Sequence, residues 1–317
     1  MFRPIRPLPT TPSIRFIARR HLFFAVSAAG ALASAVLVLL WGLNFGIDFR
    51  GGILIEIRDK EPIALDGLRS AMGTLGLGEI ALQGFGAPTD VLVRVQRQEG
   101  GEEAQQQAIE TARAQLVQAL GADLEFRRVE SVGPQVSSEL IEAGSLAVLA
   151  SIAAMMVYIW FRFEWQFGIG AVLALVHDVA LTIGLFALTQ IEFNLTIVAA
   201  LLTIIGYSMN DTVVIFDRVR ENLRKFKQMP LPELIDQSVN ETLSRTIMTG
   251  GTTLLALAAL YVFGGEVISG FTLAMIWGVI VGTYSSVYIA APVLLYTGVR
   301  RASAAEEPKA PADAESP

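Results

Sequence analysis

Asp211 lies in the stretch Gly206 to Asn222 (GYSMNDTVVIFDRVREN), a full helical turn before an apolar run gives way to charge. A charged group facing lipid costs about 2.5–3.5 kcal/mol, so a carboxylate at such a place faces a bundle interior or a wet cavity. Arg245 opens the next apolar run from the same side, and a hairpin of two spans carries it to the depth of Asp211. A carboxylate balanced between desolvation and a nearby cation can exchange a proton, and each protonation state favours a different packing of the bundle. Asn210, next to Asp211, suits a hydrogen bond between helices or a held water. A second polar pair, His177-Asp178, falls near the middle of another apolar run and is the deepest in the chain. It fits a proton relay, a contact with a partner subunit or a structural hydrogen-bonded pair. The plainer alternatives are a helix-end aspartate for Asp211 and a snorkelling, topology-setting arginine for Arg245.

The elements that must position these residues are membrane spans. Of the 317 residues, 53% are hydrophobic and 17% charged, and the apolar residues collect in runs that a soluble domain does not need. A bilayer core of roughly 30 Å takes about 20 apolar helical residues. Six segments qualify, at about 22–41, 144–161, 167–188, 194–216, 244–263 and 268–296. Arg19 and Arg20 precede the first, as in a signal peptide, but its run continues to Trp41 and reads as an uncleaved anchor. Arginine and lysine crowd residues 1–21, the connection 217–243 and the tail after the sixth span, whereas 189–193 and 264–267 carry none. Both termini are therefore expected in the cytoplasm. The connection 217–243 reads as a charged loop in which Leu234, Ile235 and Val239 suggest a short interfacial helix, and the tail 297–317 reads as disordered. Cysteine is absent and there are two histidines, His21 and His177, which removes disulfides, thiolate chemistry and multi-histidine metal sites.

Residues 45–138 break the apolar pattern and form an outer domain. Strand signals at 53–58, 79–85, 91–97 and 123–130 alternate with helix signals at 65–75 and 102–120, and residues 86–90 read as a turn. The expected fold is thus a polytopic α-helical membrane protein of six transmembrane helices with a small α+β domain. The domain has the ferredoxin-like β-α-β-β-α-β order and lies between helices 1 and 2. It shows no catalytic constellation and reads as a binding or coupling module. Gly46, Asp48, Gly51 and Gly52 mark the exit from the first span, read chiefly as a sharp structural turn.

Four stretches then fall in order at matching depths: Gly46-Ile-Asp-Phe-Arg-Gly-Gly52, Gly206-Tyr-Ser-Met-Asn-Asp-Thr-Val-Val214, Asp217-Arg-Val-Arg-Glu-Asn222 and Arg245-Thr-Ile-Met-Thr-Gly-Gly-Thr-Thr253. From Phe23 to Tyr296 the chain closely resembles the SecF family of the bacterial Sec export system, relatives of the resistance-nodulation-division transporters. That resemblance implies a non-enzymatic subunit of the inner membrane that pairs with a SecD-like subunit and associates with the SecYEG channel. Other translocon accessory proteins, the unfolded preprotein and membrane lipids are its further expected partners. The proton-motive force would drive late translocation, with no cofactor and no nucleic acid, and no nucleotide fingerprint contradicts this. Asp211 and Arg245 fall where the family carries its proton-pathway charges.

Three rivals remain open from the sequence. Half of a proton-driven small-molecule or lipid exporter would need a substrate pocket in the outer domain. A passive translocon scaffold would not need Asp211 to titrate. An intramembrane hydrolase would need Asp178 and Asp211 together, yet counting from the span ends separates them by about 10 Å in depth.

Overall fold

Local sequence decides where the chain coils, and the computed structural model describes this for residues 12–299. Arg3, Arg6, Arg300, Arg301, Lys309 and the tail from residue 300 lie outside the described residues. Among the described residues six helices are long and apolar enough to cross a membrane: Ile17–Trp41, Gln135–Arg162, Trp165–Thr189, Leu195–Lys225, Leu231–Phe263 and Ser269–Thr297. They are built from α1 (Arg20–Trp41), α5 (Pro134–Arg162), α6 (Trp165–Thr189), α7 (Leu195–Lys225), α8 (Leu231–Phe263), α9 (Ser269–Ser285) and α10 (Ala291–Thr297). A π-helical turn, Ser286–Ala290, joins the last two. Pro292 has no N–H to return to the preceding turn, so the ladder slackens there.

The bundle is graded from inside to outside. Half of the span window in α6, and 67% of that in α9 and α10, is buried, against 11% in α1 and none in α5. Small residues let the inner helices close. A methyl group on Gly278 would collide with Ile204 of α7, and one on Gly282 would press on Ser208. The same logic seats α1 on α6, where Ser34 covers Gly184. The Gly278–Gly282 stripe is therefore used inside this chain rather than kept for a partner.

The outer domain runs β1 (Gly52–Arg58), α3 (Leu65–Gly73), β2 (Ile80–Phe85), β3 (Ala87–Val95), α4 (Gly101–Leu120) and β4 (Glu125–Val132), after a short helix α2 (Ile47–Arg50). Its strands pair antiparallel in the order β2-β3-β1-β4. Alternation gives the sheet two faces. Ile53, Ile55, Ile57, Val93 and Val95 meet Leu68, Met72, Ala112 and Leu116 of the two helices. Leu54 and Leu92 turn the other way, towards Ile47 and Val132.

Several boundaries differ from expectation. The connection 217–243 is not a loop: α7 continues to Lys225, and α8 begins at Leu231. Pro230 and Pro232 sit at the start of α8, where a missing N–H costs nothing, so they open the helix instead of breaking one. Leu234, Ile235, Ser238, Val239 and Thr242 are its buried stripe. Polar bonds lock the extension, Asn222 Nδ2 donating to Ser238 Oγ and Glu241 Oε2 at 2.9 Å each. The N-terminal segment docks on the same helix through Ile14 N to Asn240 Oδ1 at 3.0 Å and Ile17 N to Asp236 Oδ1 at 2.9 Å. The second span starts at the end of β4, with no gap between domain and membrane helix. The turn expected over 86–90 shrinks because β3 already begins at Ala87.

Candidate functional site

Two polar centres occupy the bundle, and α7 contributes to both. At the first, the Asp178 side chain on α6 is 1% exposed. His177 Nδ1 lies 3.0 Å from Asp178 Oδ1, while Ser208 Oγ of α7 and Ser285 Oγ of α9 donate to Oδ2 at 2.6 and 2.8 Å. Both carboxylate oxygens are thus engaged. His177 stacks on Tyr284, whose hydroxyl lies 2.8 Å from Ser27 Oγ of α1, so four helices converge here. Next to it Thr212 Oγ1 and Ser286 Oγ are 2.8 Å apart. Ser285 and Ser286 are consecutive, yet both are fully buried. In an ordinary helix they would diverge by about 100°, and they fall where α9 gives way to the π-helical turn.

At the second centre Asp211 is half-buried, three residues beyond Ser208 on α7. Thr246 Oγ1 of α8 donates to Asp211 Oδ1 at 2.6 Å. Oδ2 is buried with no hydrogen-bond partner among the described residues. Arg245, adjacent to that threonine, is exposed and forms no ion pair with Asp211; the hairpin that was to pair them brings Thr246 to the carboxylate instead. The reason is helical phase. Residues 245 and 246 are separated by about 100°, so only one can face α7. Asn210 is exposed on α7.

The Asp178 carboxylate bonds to Ser208, only about 4.5 Å of helix rise from Asp211. The two centres are nearer in depth than a count from span ends gives, but they share no hydrogen bond. A two-aspartate hydrolytic pair is not formed. Sequence reasoning passed over Thr246, Ser208, Ser285 and Thr212, which are small hydroxyl residues on apolar faces. Their signal was periodic: Ser208 precedes Asp211 by three residues, and Thr212 follows Ser208 by four.

The glycine-rich exit from α1 joins the outer domain to the bundle. Gly46 leads into α2, and its N–H donates to Phe193 O at 2.9 Å. Asp48 Oδ2 accepts from Leu195 N at 2.8 Å, so this carboxylate helps cap α7 together with Asn194. Gly51 and Gly52 have φ of 72° and 119°, and a side chain on Gly52 would strike Val95 O. Arg94 of β3 forms an ion pair with Glu192 in the α6–α7 connection. Beside these contacts lies a cleft of about 330 Å³ between the open face of the sheet, at Glu56 and Leu92, and the bundle at Tyr261 and Phe271.

Similarity to known proteins matches this architecture. Residues 42–58 match the SecD/SecF GG motif, and residues 112–300 match the family described as protein export membrane protein SecD/SecF, C-terminal. The protein translocase subunit SecF of Rickettsia akari is 47% identical over 291 residues, covering 92% of this chain and 94% of that one. The SecF of Cereibacter sphaeroides is 49% identical over 311 residues, 95% of each chain. Among solved structures, SecDF from Thermus thermophilus, a translocon-associated membrane protein, superposes with a TM-score of 0.79 at 33% identity. That match covers 91% of this chain and 39% of the SecDF chain. SecDF in its super-membrane-facing form gives 0.66 at 34% identity, with coverages of 90% and 39%. With glycine motif, membrane helices and near-full-length relatives in agreement, the chain belongs to the SecD/SecF family of protein-export membrane proteins and is a multi-pass membrane protein of the Sec pathway.

Proposed function

We propose that this chain is the SecF-type auxiliary subunit which, with a SecD-like subunit, couples the proton-motive force to late preprotein translocation through a SecYEG channel. The observation that carries the coupling is Asp211: one oxygen is held by Thr246 and the other is buried without a partner among the described residues. An open acceptor position on a membrane carboxylate is a place for a proton. Filling it changes what α7 can bond to on α8, and this alters the relative stability of two bundle packings. Arg245 acts as a nearby charge, and Asn210, exposed on the same helix, faces the partner subunit or water. His177-Asp178 organises the inner helices behind the coupling centre.

Mechanical output passes through the ferredoxin-like outer domain. Asp48 ties the exit from α1 to the start of α7, and Arg94 with Glu192 ties the sheet to the α6–α7 connection. A shift of α7 therefore reaches the domain through two polar contacts. The two solved SecDF forms fit this chain unequally, at TM-scores of 0.79 and 0.66 with matched identity and coverage, which supports a family with more than one arrangement. The subunit works by conformational change, without catalysis or cofactor. Arginine and lysine asymmetry supports a periplasmic domain and cytoplasmic termini at the inner membrane.

In the assembled complex, Asp211→Asn keeps size and much hydrogen bonding but removes titration. The variant is expected to assemble normally and to lose stimulation of export by an imposed proton gradient, while ATP-driven translocation continues. Export that still responds to the gradient would refute the coupling role. For orientation, an impermeant thiol reagent applied to intact spheroplasts should label Gly100→Cys and spare Gln228→Cys. The reverse pattern inverts the topology.

A further inference from the structure

A second cavity lies at membrane depth, on the outer-domain side of the bundle. The α1–α2 connection, α5, α6 and α7 enclose an apolar groove of about 500 Å³. Phe45, Phe49 and Phe193 form one end, an aromatic trio in which Phe45 packs edge-on to the other two, at the level where the chain leaves α1. Aromatic rings favour this headgroup level. From there α5 supplies Ile141, Gly144, Ser145 and Val148, a stripe at helical spacing, and the wall continues to Leu149. Glu139 and Glu142 fall off that stripe. Residues 141 to 149 span about 12 Å of helix rise, close to the depth of half a bilayer core. Gly144 makes a notch: a methyl group there would meet nothing nearer than Val198 at 3.7 Å.

One charged side chain lines the groove, that of Arg50. It is exposed and forms no ion pair among the described residues, whereas Arg94 is paired with Glu192. The stem of Arg97, also exposed, runs beside Gly51, the residue after Arg50, and brings a second positive charge to this part of the surface. An apolar slot that descends from the headgroup level and ends in a free guanidinium is complementary to a lipid: the slot fits an acyl chain, and the planar fork fits a phosphate. The second arginine favours a headgroup with net negative charge.

We infer that this groove holds one acyl chain of an anionic phospholipid from the leaflet beside the outer domain, with Arg50 on its phosphate. The occupant touches the α1–α2 exit and α5, the segments that lead into and out of the outer domain. Lipid binding is thereby tied to the seating of that domain on the bundle.

The test uses the full chain released from nanodiscs containing equal phosphatidylglycerol and phosphatidylethanolamine, with retained lipid counted by native mass spectrometry. The parent is expected to keep one phosphatidylglycerol. Arg50→Gln should weaken its retention about tenfold, as loss of a charge-assisted hydrogen bond does, and Arg50→Lys should weaken it less. Gly144→Leu fills the notch and should abolish retention at an unchanged melting temperature; if that variant does not fold, the Arg50 pair decides alone. Equal retention of both lipids, or retention indifferent to Arg50→Gln, overturns the inference. So does complete displacement of the lipid on assembly with the SecD-like subunit, which would assign the groove to a partner helix.

Discussion

Asp178 and Asp211 are carboxylates of one bundle, and α7 touches both, but their surroundings differ in kind. Asp178 is wrapped by a histidine and two serines on three different helices, with both oxygens engaged. Asp211 has one threonine and an oxygen left over among the described residues. A carboxylate with both oxygens engaged holds its helices together and resists change, even though His177 Nε2 beside it is buried without a partner among the described residues. A carboxylate with one oxygen open is free to change partners. Depth alone singles out Asp178 as the functional residue. In the proposed function the open oxygen of Asp211 carries the coupling, while Asp178, with both oxygens engaged, belongs to the framework that keeps α6, α7 and α9 in register.

The most severe way to break this contrast is Asp178→Ala. It strands the hydroxyls of Ser208 and Ser285 and the ring of His177, at a cost on the order of 3 kcal/mol. The expected outcome is a markedly lower melting temperature in detergent and poor recovery with the SecD-like subunit. If the variant melts like the parent and loses only its gradient response, then Asp178 belongs to the coupling machinery and the contrast fails.

A smaller effect is expected at the second centre. Thr246→Val keeps shape and removes the hydroxyl that donates to Asp211, so gradient-stimulated export should change several-fold while stability shifts by about 1 kcal/mol. Arg245 lacks direct contact with the carboxylate. Arg245→Met should therefore affect the gradient response less than Thr246→Val does, and Arg245→Lys, which preserves the charge, least of all. Rates of export measured across a series of imposed gradients rank the three variants. An Arg245→Met variant as defective as Asp211→Asn would mean that the guanidinium reaches the carboxylate during the cycle.

The outer domain supplies a carboxylate from a third setting, and the smallest expected effect. Asp90 is buried on β3, where Arg58 donates to it at 2.6 and 2.5 Å. That hydrogen-bonded guanidinium holds the Asp90 carboxyl below the ordinary carboxylate range. A depressed folded-state value adds stability that is complete above the unfolded pKa of about 3.9 and is lost as pH falls through the folded one. Because the Arg58 side chain is 42% exposed, solvent screening keeps the contribution small. Thermal melts of the parent and Asp90→Asn should differ at neutral pH and converge in strong acid. A difference that stays constant with pH would show that the pair does not act through its charge.

Much of this molecule was legible before folding. Twenty-residue apolar runs locate membrane helices because lipid offers no other partner for the backbone, and alternation at Ile53 to Arg58 locates a strand because a sheet buries one face at a time. The glycines at 46, 51 and 52, and the charge of Asp211 in an apolar context, were also visible, since each departs from what its surroundings require. Tertiary structure decided the rest. Whether Arg245 or Thr246 meets Asp211 depends on the rotation of α8 about its own axis, which no spacing within one span encodes. Residues 217–243 became two packed helix ends because Leu234, Ile235 and Val239 found a partner surface on α7 and the N-terminal segment. Ser285 and Ser286 both turn inward where α9 meets a π-helical turn beside Pro292. Hydrogen-bond satisfaction is a property of several helices at once, and so the difference between Asp178 and Asp211 exists only in the assembled bundle.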